Sequence, residues 1–316
     1  MPPHTSCCYR CPICSRGFVG TREAVITIGI VLRFGGNVLV SEQANVDCAA
    51  GFGVRLIGCA DDAALPIGMH DYAESLGCCM LVDKTMFIAD VLDCDASVVV
   101  CCRPEGFGKS MNLSMLKAFL ERPAVGRSGQ RLFADAQIWD ANSGRYRDEY
   151  ACYPVISLDF SGAARCGAAV AGVVHNALSG ECVRLLPLLE APDLARDKVR
   201  HIERVARGAA SEDEVASVLG VLIELLEIAC DEQVVLLVDG YDAAWLGRAS
   251  ARGASGADPA GLFDRVLFDA IVAARDSLRL TCLMGECPGP AEAALSLHGC
   301  SYCLTTPLST LSLIHI

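Results

Sequence analysis

A strand, a loop with two glycines and a helix follow one another over residues 98–120, and this succession constrains the fold more than any other feature. Three valines open the stretch and predict a short buried strand. Apolar residues recur at helical spacing after Ser110, which predicts an amphipathic helix. The loop between them ends in Gly-Lys-Ser. Strand, glycine-containing loop, Gly-Lys-Ser and helix together predict a phosphate-binding loop, or P-loop.

The residue types in this loop suit the binding of a nucleotide. Small residues let consecutive backbone N–H groups point at an anion, and the following helix adds its positive end. We expect Lys109 to reach the β- and γ-phosphates and the Ser110 hydroxyl to ligate Mg²⁺. The alternative is a strand–turn–helix that contains Gly-Lys-Ser by chance. The candidate nucleotide-binding residues are Arg103, Pro104, Gly106, Phe107, Gly108, Lys109 and Ser110.

A second chemical landmark is the segment QVVLLVDGYD at residues 233–242. Its continuous apolar run predicts a buried parallel strand, and Asp239 follows at the carboxyl end, where a Walker B aspartate supports Mg²⁺. One further predicted strand, at residues 153–160, lies between Lys109 and Asp239, as in P-loop NTPases with an added central strand. We therefore predict an α/β fold, a three-layer P-loop NTPase sandwich with a mainly parallel sheet.

Three separated segments give the chain a resemblance to a known family. They are LPIG at residues 65–68 with Asp71 and Tyr72, DKT at residues 83–85, and R-P-x-x-F-G-K-S-x-N-x-S-M-L-K at residues 103–117. Residues 65–308 thereby resemble the bacterial AAA-ATPase-like family, a divergent group of P-loop NTPases. The resemblance implies an ATP-binding domain in which Arg103 is a family trait. Asp71, Tyr72 and Asp83 either approach the nucleotide or serve capping and packing.

The chain departs from the family pattern at its catalytic positions. Glu105 and Gly106 stand where the family has two arginines, and Gly240 replaces the Walker B glutamate of the D-E-Y-D motif. Because that glutamate would polarise the attacking water, its loss is expected to slow hydrolysis by about 10²–10⁴-fold. Asp239 and Asp242 remain as candidate catalytic carboxylates. The alternative is a catalytically dead interaction or scaffold module that binds no nucleotide.

Residues 1–60 have a different, cysteine-rich character. Cys11-Pro-Ile-Cys14 resembles a zinc knuckle, and Cys48 is a further candidate zinc ligand. A tetrahedral zinc site needs a second ligand pair, and Gly51 occupies the place of its last cysteine. A small β-type segment resembling a degenerate zinc ribbon is therefore predicted, or an extension whose thiols bind nothing. We place the boundary to the next domain at residues 61–64.

Charge and cysteine content limit the setting and the partners. The net charge is −12, with 26 basic and 38 acidic residues, which argues against a general nucleic-acid-binding surface. The 19 cysteines are scattered rather than spaced as a disulfide framework, so we expect a reducing cytoplasm. The apolar run at residues 24–40 is interrupted by Arg33 and two glycines, so no membrane span is predicted.

The last eight residues, 309–316, match no family pattern. They resemble translated sequencing-adapter read-through, so we expect a non-native tail on a longer natural protein. Many members of the resembled family carry a C-terminal restriction-endonuclease-like domain, which such a truncation would remove. The resemblance is also compatible with assembly of the protein into an oligomer.

Overall fold

The computed structural model describes residues 56–58, 66, 68–123, 132–163, 170–250, 261 and 263–305. The strands are β1 (Leu56–Gly58), β2 (Met80–Val82), β3 (Val98–Cys102), β4 (Val155–Asp159), β5 (Val234–Asp239), β6 (Leu278–Gly285) and β7 (Tyr302–Thr305). The candidate zinc ligands Cys11, Cys14 and Cys48, the boundary at 61–64 and the tail 309–316 lie outside the described residues.

Helices surround the strands along the whole described chain. The α-helices are α1 (Tyr72–Cys78), α2 (Met86–Leu92), α3 (Lys109–Leu120), α4 (Gln137–Asp140), α5 (Val170–Leu185), α6 (Arg196–Ala206), α7 (Glu212–Cys230), α8 (Ala243–Ser250), α9 (Asp269–Ala273) and α10 (Gly289–Leu297). Two 3₁₀ segments (Ala141–Glu149 and Leu186–Leu189) and a π-helical turn (Asp264–Phe268) complete the elements. Among these helices none combines the length and the apolar character needed to cross a bilayer.

Five parallel strands form the main sheet in the order β4-β5-β6-β3-β7. The predicted strand at 153–160 is present as β4, but it lies at the edge of the sheet. The strand between β3 and β5 is β6, which comes after both in the sequence. Parallel neighbours are joined by long crossovers, so sequence order does not dictate which strands are adjacent. The carboxyl ends of all five strands meet at one edge.

Strand β3 shows how the sheet divides the core. Val98 and Val100 belong to one buried cluster, whereas Val99 and Cys101 belong to the other. Successive side chains of a strand point to opposite faces, so these two clusters are the two faces of the sheet. Helices α5 and α7 pack on one face and α2 and α3 on the other. The predicted α/β three-layer sandwich with a parallel sheet is confirmed.

The small second sheet involves residues that precede the predicted boundary. Strand β1 pairs antiparallel with β2, and Ile57 lies opposite Leu81. Both side chains are buried in the same cluster as α2 and α3. Strand β1 therefore packs with the main fold, although the sequence pattern groups its residues with the cysteine-rich segment.

An ion pair covers the free edge of β4. Glu181 of α5 accepts a hydrogen bond from the Ser157 backbone N–H at 2.6 Å, and Arg184 donates to the Val155 carbonyl oxygen at 2.5 Å. Arg184 also pairs with Glu181 at 2.6 Å and with Glu121. Unpaired backbone groups on an edge strand invite pairing with another chain. Here two of them are satisfied by side chains, which covers this part of the edge.

We predict that Glu181→Ala lowers the free energy of unfolding by about 1–3 kcal/mol. The Ser157 N–H and the Arg184 guanidinium both lose an acceptor that is only 7% exposed. Urea denaturation measures the change. The matched control is Glu190→Ala, which removes an exposed carboxylate from the same region and should cost less than about 0.5 kcal/mol. Equal midpoints for the two variants would contradict the role of Glu181.

Candidate nucleotide-binding site

The loop between β3 and α3 has the backbone conformation that its glycines predict. Gly106 has φ +82° and Gly108 has φ +70°, in the left-handed region that glycine adopts without a steric penalty. Gly108 is also the N-cap of α3. The amino end of the helix, with its free N–H groups and positive dipole end, therefore faces into the loop. This geometry suits an anion.

Arg103 is turned back into the protein instead of lying in the loop. It is 8% exposed, and its guanidinium donates to the Cys102 carbonyl oxygen at 2.7 Å. Its backbone N–H donates to the Gly285 carbonyl oxygen at 2.9 Å, which extends the pairing of β3 with β6. Arg103 stands where the P-loop pattern G-x-x-x-x-G-K-[ST] has its first glycine, and its backbone joins two strands where the loop begins. The neighbouring Pro104, Glu105 and Gly106 are exposed.

The Lys109 ammonium group lies inside the curve of the loop. It donates to the carbonyl oxygens of Arg103 at 2.8 Å and Pro104 at 3.0 Å. A carboxylate oxygen of Glu286, from the segment after β6, is 3.6 Å away. The lysine side chain is 13% exposed and that of Glu286 is 43% exposed. The ammonium is therefore surrounded by acceptors at the position where a phosphate would contact it.

Ser110 and Asp239 meet at the carboxyl edge of the sheet. The Ser110 hydroxyl donates a hydrogen bond to the Asp239 carboxylate. Asp239 is 6% exposed, and burial raises the pKa of its carboxyl group, which the Ser110 bond partly opposes. Asp159 lies opposite Asp239 in the sheet register and raises that pKa further through its charge.

Hydroxyl and carboxylate oxygens are the ligand types that Mg²⁺ prefers, so Ser110 and Asp239 fit this ion. In the described part of the chain there is no cluster of three or more histidine, cysteine or acidic residues that could hold a metal alone. A nucleotide-associated magnesium site does not require one, because phosphate oxygens and water supply most of its ligands.

Gly240 follows Asp239 in a space that admits no side chain. Its φ is +68°, and a Cβ atom here would lie 2.6 Å from the Ser161 nitrogen and 2.7 Å from the Ser161 Cα. The Gly240 N–H donates to the Met284 carbonyl oxygen at 2.8 Å, which holds the backbone in place. Glycine is therefore required here by the local backbone, and the position directly after Asp239 has no room for a carboxylate side chain.

Asp242 and Tyr241 hold the segment that follows β6. One Asp242 oxygen accepts hydrogen bonds from the backbone N–H groups of Glu286 at 2.8 Å and Cys287 at 2.6 Å. The Tyr241 hydroxyl donates to the Cys287 carbonyl oxygen at 2.7 Å. Asp242 is only 1% exposed. These contacts favour an anchoring role for Asp242 over the catalytic role that the sequence suggested.

The acidic residues before the P-loop strand serve capping and packing. Asp71 caps α1 by accepting from the Glu74 N–H at 2.9 Å, and the Tyr72 N–H donates to the Ser114 hydroxyl on α3 at 3.0 Å. Asp83 is buried and accepts from the Thr85 N–H at 2.9 Å and the Gln137 N–H at 2.7 Å. Of the two roles left open by the sequence, these contacts favour the structural one.

Two acidic residues of the site, Asp159 and Glu286, are not among the candidates identified from the sequence. Asp159 ends strand β4, and its position at the carboxyl end of a parallel strand was the signal that could have identified it. Glu286 directly follows β6 and carried the same signal, but its contact with Lys109 is created only by the fold.

A parallel sheet in three layers, a glycine-containing loop leading into a helix, and a serine–aspartate pair beside that loop define a P-loop NTPase-like domain. The family model described as "Predicted AAA-ATPase" matches residues 66–288, so the chain belongs to this AAA-ATPase-like family. Comparisons with curated proteins and with solved structures found no match. Membership supports nucleotide binding in general.

We predict that Gly240→Ala lowers the free energy of unfolding by about 3 kcal/mol, since it adds a steric clash to an unfavourable backbone conformation. The matched control is Gly208→Ala. Gly208 has nearly the same φ, +67°, but no atom lies within 4 Å of its Cβ position. We expect this control to cost about 1 kcal/mol in urea denaturation. Equal losses in the two variants would show that the space at Gly240 is not restricted.

We predict that Asp239→Asn is more stable than the wild type at neutral pH. The pKa of Asp239 is raised in the folded state, so its ionised form costs stability above that pKa. The advantage of the variant should shrink as the pH falls toward about 4, where the carboxyl is protonated in the unfolded chain as well. Thermal melts across this pH range measure it. Asp276→Asn, at an exposed carboxylate near the opposite end of β6, should show no such trend.

Proposed function

We propose that this domain binds ATP with Mg²⁺ in the loop of residues 103–110 and hydrolyses it slowly or not at all. The observation that carries the proposal is the contact of Ser110 with Asp239 directly beside Lys109. A P-loop serine and a strand-end aspartate are the two protein groups that hold the magnesium of a bound nucleotide in P-loop NTPases. Family membership supports the same class of ligand.

Each part of the site has a distinct task in this proposal. The loop N–H groups and the amino end of α3 receive the phosphates, with Gly106 and Gly108 giving the backbone its curvature. When the nucleotide binds, Lys109 exchanges its hydrogen bonds to two carbonyl oxygens for hydrogen bonds to phosphate oxygens. Ser110 and Asp239 would hold Mg²⁺, which neutralises phosphate charge when bound.

We expect slow turnover because the groups that would position the attacking water are missing or engaged in other contacts. No carboxylate is present at Gly240, and Asp242 is bound to two backbone N–H groups. Pro288 stands where the family has a basic sensor residue. Positioning of the nucleophile is the main protein contribution to phosphoryl transfer, so a site without these groups retains binding and loses rate.

One observation favours the rival function, a scaffold module that binds no nucleotide. Lys109 is already held by two carbonyl oxygens and lies near Glu286, while Glu105 adds a negative charge to the loop.

Three further features remain predictions from the sequence. They are zinc binding by Cys11, Cys14 and Cys48, a C-terminal nuclease-like partner domain, and an oligomeric state.

We predict that the wild type binds a fluorescent ATP analogue in a Mg²⁺-dependent manner and that Lys109→Ala weakens binding by about 10–100-fold, the value of one hydrogen bond to a charged group. The control is Lys117→Ala, which removes the same charge at the last turn of α3 and should change affinity less than about twofold. Absence of Mg²⁺-dependent binding in the wild type would favour the scaffold. A steady-state rate near about 1 per second would refute slow turnover.

A further inference from the structure

Glu286 is held at the mouth of the loop by the buried part of the site. Its backbone N–H donates to Asp242, which is 1% exposed, so the position of the residue is set by the core. Strand β6, which ends at Gly285, pairs directly with β3. The Glu286 carboxylate reaches within 3.6 Å of the Lys109 ammonium from this fixed backbone. The backbone of Glu286 is therefore fixed at the site, and its carboxylate, which is 43% exposed, lies within reach of Lys109.

The Glu286 carboxylate competes with the outer phosphate of a triphosphate for the Lys109 ammonium group. Lys109 is the group expected to contact the β- and γ-phosphates. If the ammonium turns to a γ-phosphate, that phosphate lies within a few ångströms of the Glu286 carboxylate. Like charges at such a separation repel strongly in a partly buried site. A diphosphate places one negative charge fewer near this carboxylate and still reaches the loop N–H groups.

Neighbouring charges strengthen this bias. Asp159 and Asp239 lie together at the same edge of the sheet. The guanidinium of Arg103 is buried against the Cys102 carbonyl oxygen. The loop has Glu105 at a position where the resembled family has arginine. These carboxylates add negative charge at the end of the sheet where Lys109 lies.

We infer that Glu286 makes this site prefer a nucleoside diphosphate over the corresponding triphosphate. The inference rests on the proposed nucleotide binding and specifies the ligand that the site holds most tightly. A domain with this preference retains the diphosphate and binds the triphosphate more weakly as long as Glu286 carries its charge.

The test is competition of ADP and of ATP, each with Mg²⁺, against a fluorescent nucleotide on the full chain. We expect the wild type to bind ADP about tenfold more tightly than ATP, and Glu286→Gln to reduce this ratio below about threefold, mainly by binding ATP more tightly. Glutamine keeps the size of the side chain and removes its charge. The control Asp276→Asn removes a carboxylate from the opposite end of β6 and should leave the ratio unchanged.

The outcomes separate the inference from the proposed function. Binding of both nucleotides with the same ratio in wild type and Glu286→Gln overturns the inference and leaves nucleotide binding intact. A wild type that prefers ATP overturns it as well. If the wild type binds neither nucleotide with Mg²⁺, the proposed function fails and the inference fails with it.

Discussion

The hydrogen bond from Ser110 to Asp239 joins two residues that are 129 positions apart in the chain. It exists because β3 and β5 run parallel, so their carboxyl ends lie at one edge of the sheet with only β6 between them. The loop, the lysine and the acidic residues of the site are all placed by the same arrangement. The candidate nucleotide-binding site therefore depends on a parallel sheet with β6 in its middle.

The sequence predicted the elements of the fold well and their arrangement less well. The valine run of β3, the helical spacing of α3 and the apolar run of β5 are local patterns, and the structure contains all three elements. The neighbours of each strand are not local. Nothing in the apolar residues of β4 distinguishes an edge strand from a central one. The fold identifies β4 as an edge strand, and Glu181 and Arg184 bind two of its outer backbone groups.

The roles of acidic residues were the least predictable part of the site. Asp239, Asp242 and Asp83 carry the same carboxyl group and are all buried. Asp239 meets a serine hydroxyl in the site, whereas Asp242 and Asp83 accept backbone N–H groups of other segments. A sequence shows where a carboxylate stands but not which donors the folded chain brings to it. The approach of Glu286 to Lys109 is a tertiary contact of the same kind.

The close approach of Ser161 to Gly240 limits what position 240 can carry. The turn after β4 occupies the space that a Cβ atom would need, and the left-handed backbone there disfavours every residue except glycine. A substitution at position 240 alone therefore cannot place a carboxylate directly after Asp239. The turn at Ser161 would have to move as well, so the two positions are coupled and are expected to vary together or not at all.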